Sequence, residues 1–365
     1  MVTRELSIQE RIDLIKQVGE EIVTEDDLRA LLADPAKKTF IAYDGFEPSG
    51  SIHIAQGLLR VININKMTRA GAHFKMLVAD WHAWANNKMG GDLEKIKIVG
   101  EYFIEVWKAT GLDTKNVDFL WVSDAVKDDK YWKIVMQVAR HNTVKRLIRT
   151  SQIMGRSESD DLSAAQILYP CMQCADIFYL GVDVCQLGMD QRKVNVLARE
   201  VAPTLGYKKP IVVSHHMMMG LLQPPKTDAS VVDRTVALKM SKSNPASAIF
   251  MNDMPQQVSD KLKKAYCPEG IVEENPVLEY FKHIIFELNE SITIERPEKF
   301  GGNLTFKSYV EFANAFAAKQ VHPMDVKACA ATYINKALEP VRQHFQTNAR
   351  AKELLEKVQS YSITR

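Results

Sequence analysis

The chain has 365 residues, 46% hydrophobic and 25% charged, with 14 Pro and 17 Gly; these are globular values that exclude disorder, collagen and low complexity. A length of two to three times the ~150 residues of a common domain is enough to bury a real core. The formal net charge of +2 excludes a wholesale polycation but leaves room for a local basic surface that meets nucleic acid.

Residues 1–38 read as an N-terminal helical segment. Its first 21 residues carry Glu5, Glu10, Asp13, Glu20 and Glu21, which suits neither a secretory signal nor an acid-poor transit peptide. From 39 to 230, short apolar runs alternate with helical periods. Thr39–Tyr43, Met76–Ala79, Val117–Trp121, Val182–Leu187 and Ile211–Val213 predict strands, and Leu93–Lys108 has helical spacing. This alternation predicts the α/β class: a parallel sheet with helices on both faces, whose ligands sit at the carboxyl ends of the strands. A polar stretch, Gln223 to Asn244, marks a boundary, and residues 231–250 read as a loop and linker. From 251 to 365 helical periods dominate (Gln256–Tyr266, Val277–Leu288, Tyr309–Lys319, Met324–Leu338, Ala349–Gln359), with one apolar run at Ile292–Ile294. This predicts a mainly helical C-terminal domain. No apolar stretch approaches the ~20 residues of a membrane helix.

Two segments carry phosphate chemistry. After the first strand come Tyr43-Asp44-Gly45-Phe46-Glu47-Pro48-Ser49-Gly50-Ser51-Ile52-His53-Ile54-Ala55-Gln56-Gly57. A strand, a small-residue turn and a helix start form an anion site, because unpaired N–H groups and the helix dipole face the ligand. His53, in the first turn of that helix, can donate to a phosphate as charge builds on it. An incidental histidine in a turn is the competing reading. Far downstream stands Lys239-Met240-Ser241-Lys242-Ser243, two lysines three apart in a loop, able to close over a polyphosphate or simply to be solvated. Five cysteines, an odd number, argue for a reducing compartment rather than a disulfide framework, and a cytoplasmic protein is the expectation. Cys171-x-x-Cys174 lacks a second pair, so packing on a helix outweighs a four-ligand zinc site, and no metal site is expected. Asp80 and His82 read as strand-end residues at a pocket rim.

Together the two segments resemble the signatures of class I aminoacyl-tRNA synthetases, H-I-G-H and K-M-S-K-S. The likeness extends through Ala79–Ala83, Tyr169–Asp176, Gly188–Lys193, Arg296–Gly302 and His322–Asp325, and resembles the tyrosyl-tRNA synthetase family of archaeal and eukaryotic type. One departure is plain: the third and fourth positions of the first signature are Ala55 and Gln56, so a second imidazolium is missing. The resemblance implies a Rossmann-like catalytic domain over 39–230, with an insertion around 120–165 that packs a homodimer and meets the tRNA acceptor stem. It implies an anticodon-binding domain over 251–365. It also implies tyrosine–tRNA ligase activity with ATP and Mg²⁺, on L-tyrosine and tRNA(Tyr).

The same resemblance assigns roles. His53, Gln56, Lys239 and Lys242 match the catalytic signatures. Tyr43 and Asp176 match the phenol-binding pair, and a buried phenol does need such partners. Tyr169, Gln173 and Gln191 match ligands of the substrate's α-amino group; 169, 173 and 176 fall on one helix face. For ATP the matches are Gly188, Asp190, Met240, Ser241 and Lys242 together with His53, and Gly45 and Ser49 line the nucleotide side. Asp44 belongs with them on the nucleotide side of that turn.

For nucleic acid, Lys133 to Arg156 holds six basic residues and no acidic one (Lys133, Arg140, Lys145, Arg146, Arg149, Arg156); a solvated helix face and a phosphate-binding face both fit. Phe300 and Asp325 match the family positions that stack on and hydrogen-bond the first anticodon base, with core packing and helix capping as the alternatives. Residues 335–365 add six basic and three acidic side chains. The competing functions are tryptophanyl-tRNA synthetase, a non-catalytic RNA-binding relative and a small-molecule nucleotidyltransferase of the same superfamily. Asp176 with Tyr43 argues against the first, intact His53, Lys239 and Lys242 against the second, and Phe300 with Asp325 against the third.

Overall fold

A computed structural model describes residues 5–155, 161–224, 234, 238–240 and 244–361. Its centre is a six-stranded sheet in the order β1-β6-β5-β2-β3-β4, made of β1 (Gly19–Val23), β2 (Phe40–Phe46), β3 (Ala72–Val78), β4 (Val117–Trp121), β5 (Val184–Gly188) and β6 (Ile211–His215). Five strands are parallel, as the alternation of short apolar runs with helical stretches predicts. β2, β5 and β6 are buried almost throughout.

The first 38 residues are not wholly helical. Helices α1 (Ile8–Val18) and α2 (Glu25–Ala33) flank β1, which pairs antiparallel with β6 as an edge strand. Its sequence Gly-Glu-Glu-Ile-Val has one polar stripe and hides in the charge of Glu20 and Glu21. Those charges are partnered across the fold: Glu20 by His216 and Glu21 by Arg192. Charged side chains are a common guard on sheet edges.

From β2 the chain winds through α3 (Arg60–Arg69) to β3, then through α4 (Asp80–Ala85) and α5 (Leu93–Ala109) to β4. It next forms α6 (Val122–Ala125), α7 (Asp129–Arg140) and α8 (Val144–Thr150), and returns by α9 (Ala164–Tyr179) to β5 on the other side of β2, with α10 (Arg192–Val201) leading to β6. The winding direction therefore reverses between β2 and β5, the place where open α/β sheets bind ligands.

α9 starts with a capping box, Ser163 and Gln166 satisfying each other's backbone N–H. Inside it Pro170 cannot donate to the Gln166 carbonyl; the Ser151 hydroxyl lies 3.4 Å from that oxygen and 2.9 Å from the Leu147 carbonyl, sharing its one proton between them. α7 and α8 bury Ile134, Val138 and Leu147 and turn Lys133, Arg140, Lys145 and Arg149 outward.

The C-terminal part is helical around a short hairpin of β7 (Ile292–Ile294) and β8 (Leu304–Phe306). Helices Pro255–Lys264, Tyr309–Ala317, Pro323–Thr347 and Ala349–Ser360 fall where the periodicity predicts them; the stretch 276–288 is broken by a π turn at Phe281–Ile285. One apolar core runs from the sheet into these helices. It includes Trp107, fully buried in α5, whose ring lies 4.5 Å from that of Phe46. Removing such a ring costs about 3–5 kcal/mol. Among the described residues, no helix is long and apolar enough to cross a membrane.

Candidate active site

A cavity of about 640 Å³ opens at the carboxyl ends of β2 and β5, within the usual range for a small-molecule site. It collects the expected residues from distant parts of the chain. Tyr43, Gly45, Ser49, His53 and Gln56 come from β2 and the turn after it; Tyr169, Gln173 and Asp176 come from α9. Gly188, Asp190 and Gln191 follow β5, and Lys239 and Met240 complete the wall.

The deep end is built around Asp176, 2% exposed. Its Oδ1 accepts from the Tyr131 hydroxyl at 2.8 Å, and its Oδ2 lies 3.1 Å from His82 Nε2. Burial works against a charged imidazole at His82, but Asp176 outweighs it and raises the pKa. The His82 ring also meets Tyr169 edge-on, 4.8 Å between centroids. Tyr43 stands beside this carboxylate, its phenol pushed well up by burial and by Asp176. The deep end therefore offers a fixed acceptor, flanked by hydroxyls.

The middle of the cavity is a polar ring. Tyr169 donates to Glu47 Oε1 at 2.6 Å, and Asn86 donates to the same carboxylate at 3.1 Å. Gln173 Nε2 donates to Gln191 Oε1 at 3.2 Å, and Gln191 donates in turn to the Ile153 carbonyl at 3.1 Å. Gln173 Oε1 is buried and has no hydrogen-bond partner among the described residues, an acceptor of the kind an ammonium would satisfy.

The outer end carries the phosphate features. His53 is buried and its carbonyl accepts from the N–H groups of Gln56 and Gly57, both at 2.9 Å. It precedes a π turn, Ala55–Leu59, that leads into α3, so it stands just ahead of the helix rather than inside its first turn. Insertions of this type cluster at functional sites. The Gln56 carbonyl is capped by Trp107 Nε1 at 2.9 Å. Lys239 Nζ pairs with Asp190 at 2.7 Å. Gly188 is required by crowding: a Cβ there would lie 2.6 Å from Asp190 Oδ1 and from Met217 Sδ. Ser241 and Lys242 lie outside the described residues, as does Arg156.

Several groups in the cavity escaped the sequence reading. Arg60, one helical turn beyond Gln56, forms a buried ion pair with Asp44 and donates to His215. Burial outweighs Arg60 and pushes the Asp44 carboxyl up to about 7. His215 is held neutral by burial and by Arg60. Arg60 Nη1 lies 2.8 Å from His215 Nε2, and the Gln186 side-chain amide nitrogen lies 2.7 Å from Nδ1. Counting by four from Gln56 finds Arg60 on the same helix face; nothing local in the sequence points to Tyr131. Asp80 serves differently: its Oδ1 accepts from the N–H groups of Trp81 and Ser123, both at 3.0 Å, tying the start of α4 to the start of α6.

The residues assigned to tRNA lie away from this cavity. Lys145 and Arg149 are exposed on α8, and Arg146 is paired with Glu200 of α10. Phe300 is 62% exposed, which removes the core-packing alternative. Asp325 sits in the first turn of helix Pro323–Thr347, where acids are favoured; the cap itself is His322, so capping is not its role. Cys171 and Cys174 are buried on α9, and burial pushes the Cys171 thiol up to about 12.

The family model of class I tRNA synthetases (W and Y) matches residues 35–339. Tyrosine–tRNA ligase 1, cytoplasmic, of Arabidopsis thaliana is 53% identical over 361 residues, covering 98% of this chain and 90% of that protein. The chain belongs to the tyrosine–tRNA ligases of the class I tRNA synthetases. A crystal structure of tyrosyl-tRNA synthetase complexed with L-tyrosine from Pyrococcus horikoshii superposes with a TM-score of 0.89 at 38% identity, covering 96% of this chain and all of that one. The Leishmania major tyrosyl-tRNA synthetase in complex with tyrosinol gives a TM-score of 0.88 at 44% identity; it is longer, and 98% of this chain spans 53% of it.

Proposed function

We propose that the chain is a cytoplasmic enzyme that activates L-tyrosine with ATP and passes it to tRNA(Tyr). The observation that carries this reading is a buried carboxylate, Asp176, lining the same cavity as His53 and Lys239. The substrate phenol donates to Asp176 with Tyr43 beside it. The α-ammonium takes the free acceptor of Gln173 together with Tyr169 and Gln191. Tyrosine is thereby laid along α9 with its carboxylate toward the phosphate end.

That carboxylate is already ionised at neutral pH, so the first step needs no general base. A carboxylate oxygen attacks the α-phosphorus of ATP and the bond to the bridging oxygen breaks. Pyrophosphate leaves with those electrons, and tyrosyl-adenylate remains. His53 and Lys239, with Lys242 of the same motif, neutralise charge that grows on the phosphates; Mg²⁺ carried by ATP would add to that neutralisation. Gln56 contributes hydrogen bonding rather than a second positive charge. Gly45 and Ser49 line the nucleotide side, Gly188 and Asp190 the ribose, and Met240 and Ser241 the loop over it. Catalysis is then mostly positioning and electrostatics. In the second step a terminal ribose hydroxyl of tRNA attacks the tyrosyl carbonyl carbon, losing its proton, and AMP departs.

For tRNA, Lys145, Arg146 and Arg149 offer phosphate contacts on the acceptor side, with Arg146 exchanging its partner Glu200. Phe300 and Asp325 suit an unstacked guanine, by stacking and by accepting from N1–H and N2–H. The active form is a homodimer joined through the insertion around 120–165.

Amino-acid-dependent exchange of labelled pyrophosphate into ATP, with tyrosine, tryptophan and phenylalanine side by side, tests the reading. Exchange with tyrosine alone is expected. Exchange with tryptophan would overturn the pocket assignment, and no exchange from folded protein would overturn the ligase reading.

A further inference from the structure

The second lysine motif has an anchor in the C-terminal part of the molecule. After β6 the segment Met217–Met219 runs beside the motif: Met219 and Lys239 form an antiparallel bridge, and the Met240 N–H donates to the Met218 carbonyl at 2.8 Å. The Gly220 N–H donates to the Leu238 carbonyl at 2.9 Å. Lys239 is thus placed by a two-stranded ladder rather than by its own loop. What fixes the other strand of that ladder is Glu279, on the short helix Pro276–Tyr280. Its Oε2 accepts from the Met219 N–H at 2.8 Å, while its Oε1 lies 3.2 Å from His216 Nε2. His216 in turn reaches Glu20 of the edge strand β1, 3.4 Å from Nδ1, and stacks on His283 at 4.4 Å with the rings 9° apart.

One carboxylate therefore holds two points of the segment on which Lys239 rests, and three regions of the chain (β1, the segment after β6, and the C-terminal helices) meet at His216. We infer that Glu279, with His216, is a positioning residue for the ATP step: it sets the height of Lys239 over the phosphate end of the cavity and ties that height to the docking of the C-terminal helices. Neither side chain is required to touch tyrosine, whose end of the cavity is built from α9. The inference rests on the ligase reading.

Two variants test it. Glu279→Ala removes both contacts, and Glu279→Gln keeps an oxygen for the Met219 N–H and, with His216 neutral and its proton on Nδ1 toward Glu20, an amide N–H for Nε2. In pyrophosphate exchange, Glu279→Ala is expected to raise KM for ATP about tenfold, the scale of a lost charged hydrogen bond. KM for tyrosine should stay within about twofold, and Glu279→Gln should recover most of the loss. A merely structural residue would lower the melting temperature without this split. The inference is overturned if both KM values move together, if neither moves, or if glutamine gives no recovery. Should Glu279→Ala not fold, Glu279→Gln and His216→Gln are compared instead. The larger effect on KM for ATP is then expected from His216→Gln, and unchanged ATP parameters in both overturn the inference. An unaltered chain that shows no tyrosine-dependent exchange overturns the ligase reading and this inference with it. An unaltered chain that exchanges while Glu279→Ala matches it overturns this inference alone.

Discussion

Replacing Asp176 by Asn tests the specificity end of the cavity with the least disturbance of the fold. The carboxylate accepts from Tyr131 and faces His82, all three side chains being buried. Alanine would strand the raised-pKa His82 without its counter-charge, which for a buried pair costs about 3–5 kcal/mol and threatens folding. Asparagine keeps the volume and one acceptor oxygen, removes the charge and turns the second oxygen into an N–H donor. A hydrogen bond to a charged group contributes about 1.5–3 kcal/mol, so KM for tyrosine should rise by roughly 10–150-fold at 1.4 kcal/mol per factor of ten. Stability should fall by about 1–3 kcal/mol, because the His82 and Tyr131 contacts weaken too. His53, Asp190 and Lys239 touch none of these groups, so KM for ATP should stay within about twofold. Pyrophosphate exchange measured against each substrate in turn, with a thermal melt of the same preparation, gives all three quantities. A folded Asp176→Asn variant with wild-type KM for tyrosine, or with both KM values raised equally, would refute the assignment.

Phe300→Ala and Asp325→Ala should leave pyrophosphate exchange intact while impairing tRNA charging; a lost aromatic stack on a base costs about 1–3 kcal/mol, and equal loss in both assays would mean a structural role. Gly188→Ala should weaken ATP more than tyrosine, because its Cβ would push on Asp190 and Met217 at 2.6 Å; overpacking of this kind costs about 1–3 kcal/mol, and unchanged exchange kinetics would show that the crowding relaxes harmlessly. The stacked histidines should shape stability against pH. Burial pulls His216 down, but Glu20 and Glu279 outweigh it and raise it to about 9; its contribution is complete below about pH 6.5 and is lost as pH rises through about 9. His283 is lowered to about 3 by burial, by His216 and by Lys282 and Lys66, so its contribution is complete above about pH 6.5 and is lost as pH falls toward 3. Chemical denaturation between pH 6.5 and 9.5 should show a loss of about 1–3 kcal/mol from His216, and His216→Gln should flatten it. Parallel curves for the two proteins would count against the titration.

The parallel strands were legible because short apolar runs alternate with helical periods, although His73 and Lys75 in β3 and Asp118 in β4 interrupt them. β1 was not: an edge strand facing water on one side carries Glu20 and Glu21, and its pattern cannot be told from a helix end. The site was legible where one motif holds several members, as in Tyr169, Gln173 and Asp176 along α9. Arg60, Glu47 and His82 each sat inside or beside a motif, yet their tasks depend on partners far away in sequence: Asp44 and His215, Tyr169, and Asp176. Tyr131 was out of reach altogether, since only the packing of α7 on α9 brings its hydroxyl to the pocket carboxylate. Phe300 and Asp325 needed the opposite kind of information, namely how exposed they are and which residue caps the helix.

The turn after β2 is closed by chain that is made much later. Ile54 N–H donates to the Ile249 carbonyl and Met251 N–H to the Ile52 carbonyl, both at 2.9 Å, and the Met251 side chain fills the space that a Cβ at Gly57 would occupy. These contacts bridge about 200 residues, and such non-local closures form late because the loop entropy comes due before the contact repays it. A nascent chain that has emerged only through β6 would hold most of the parallel sheet and the α9 face of the cavity, with the turn around His53 still open. On the ribosome, the amino-acid half of the site would therefore be shaped before the nucleotide half, and ATP binding would report completion of the first 251 residues.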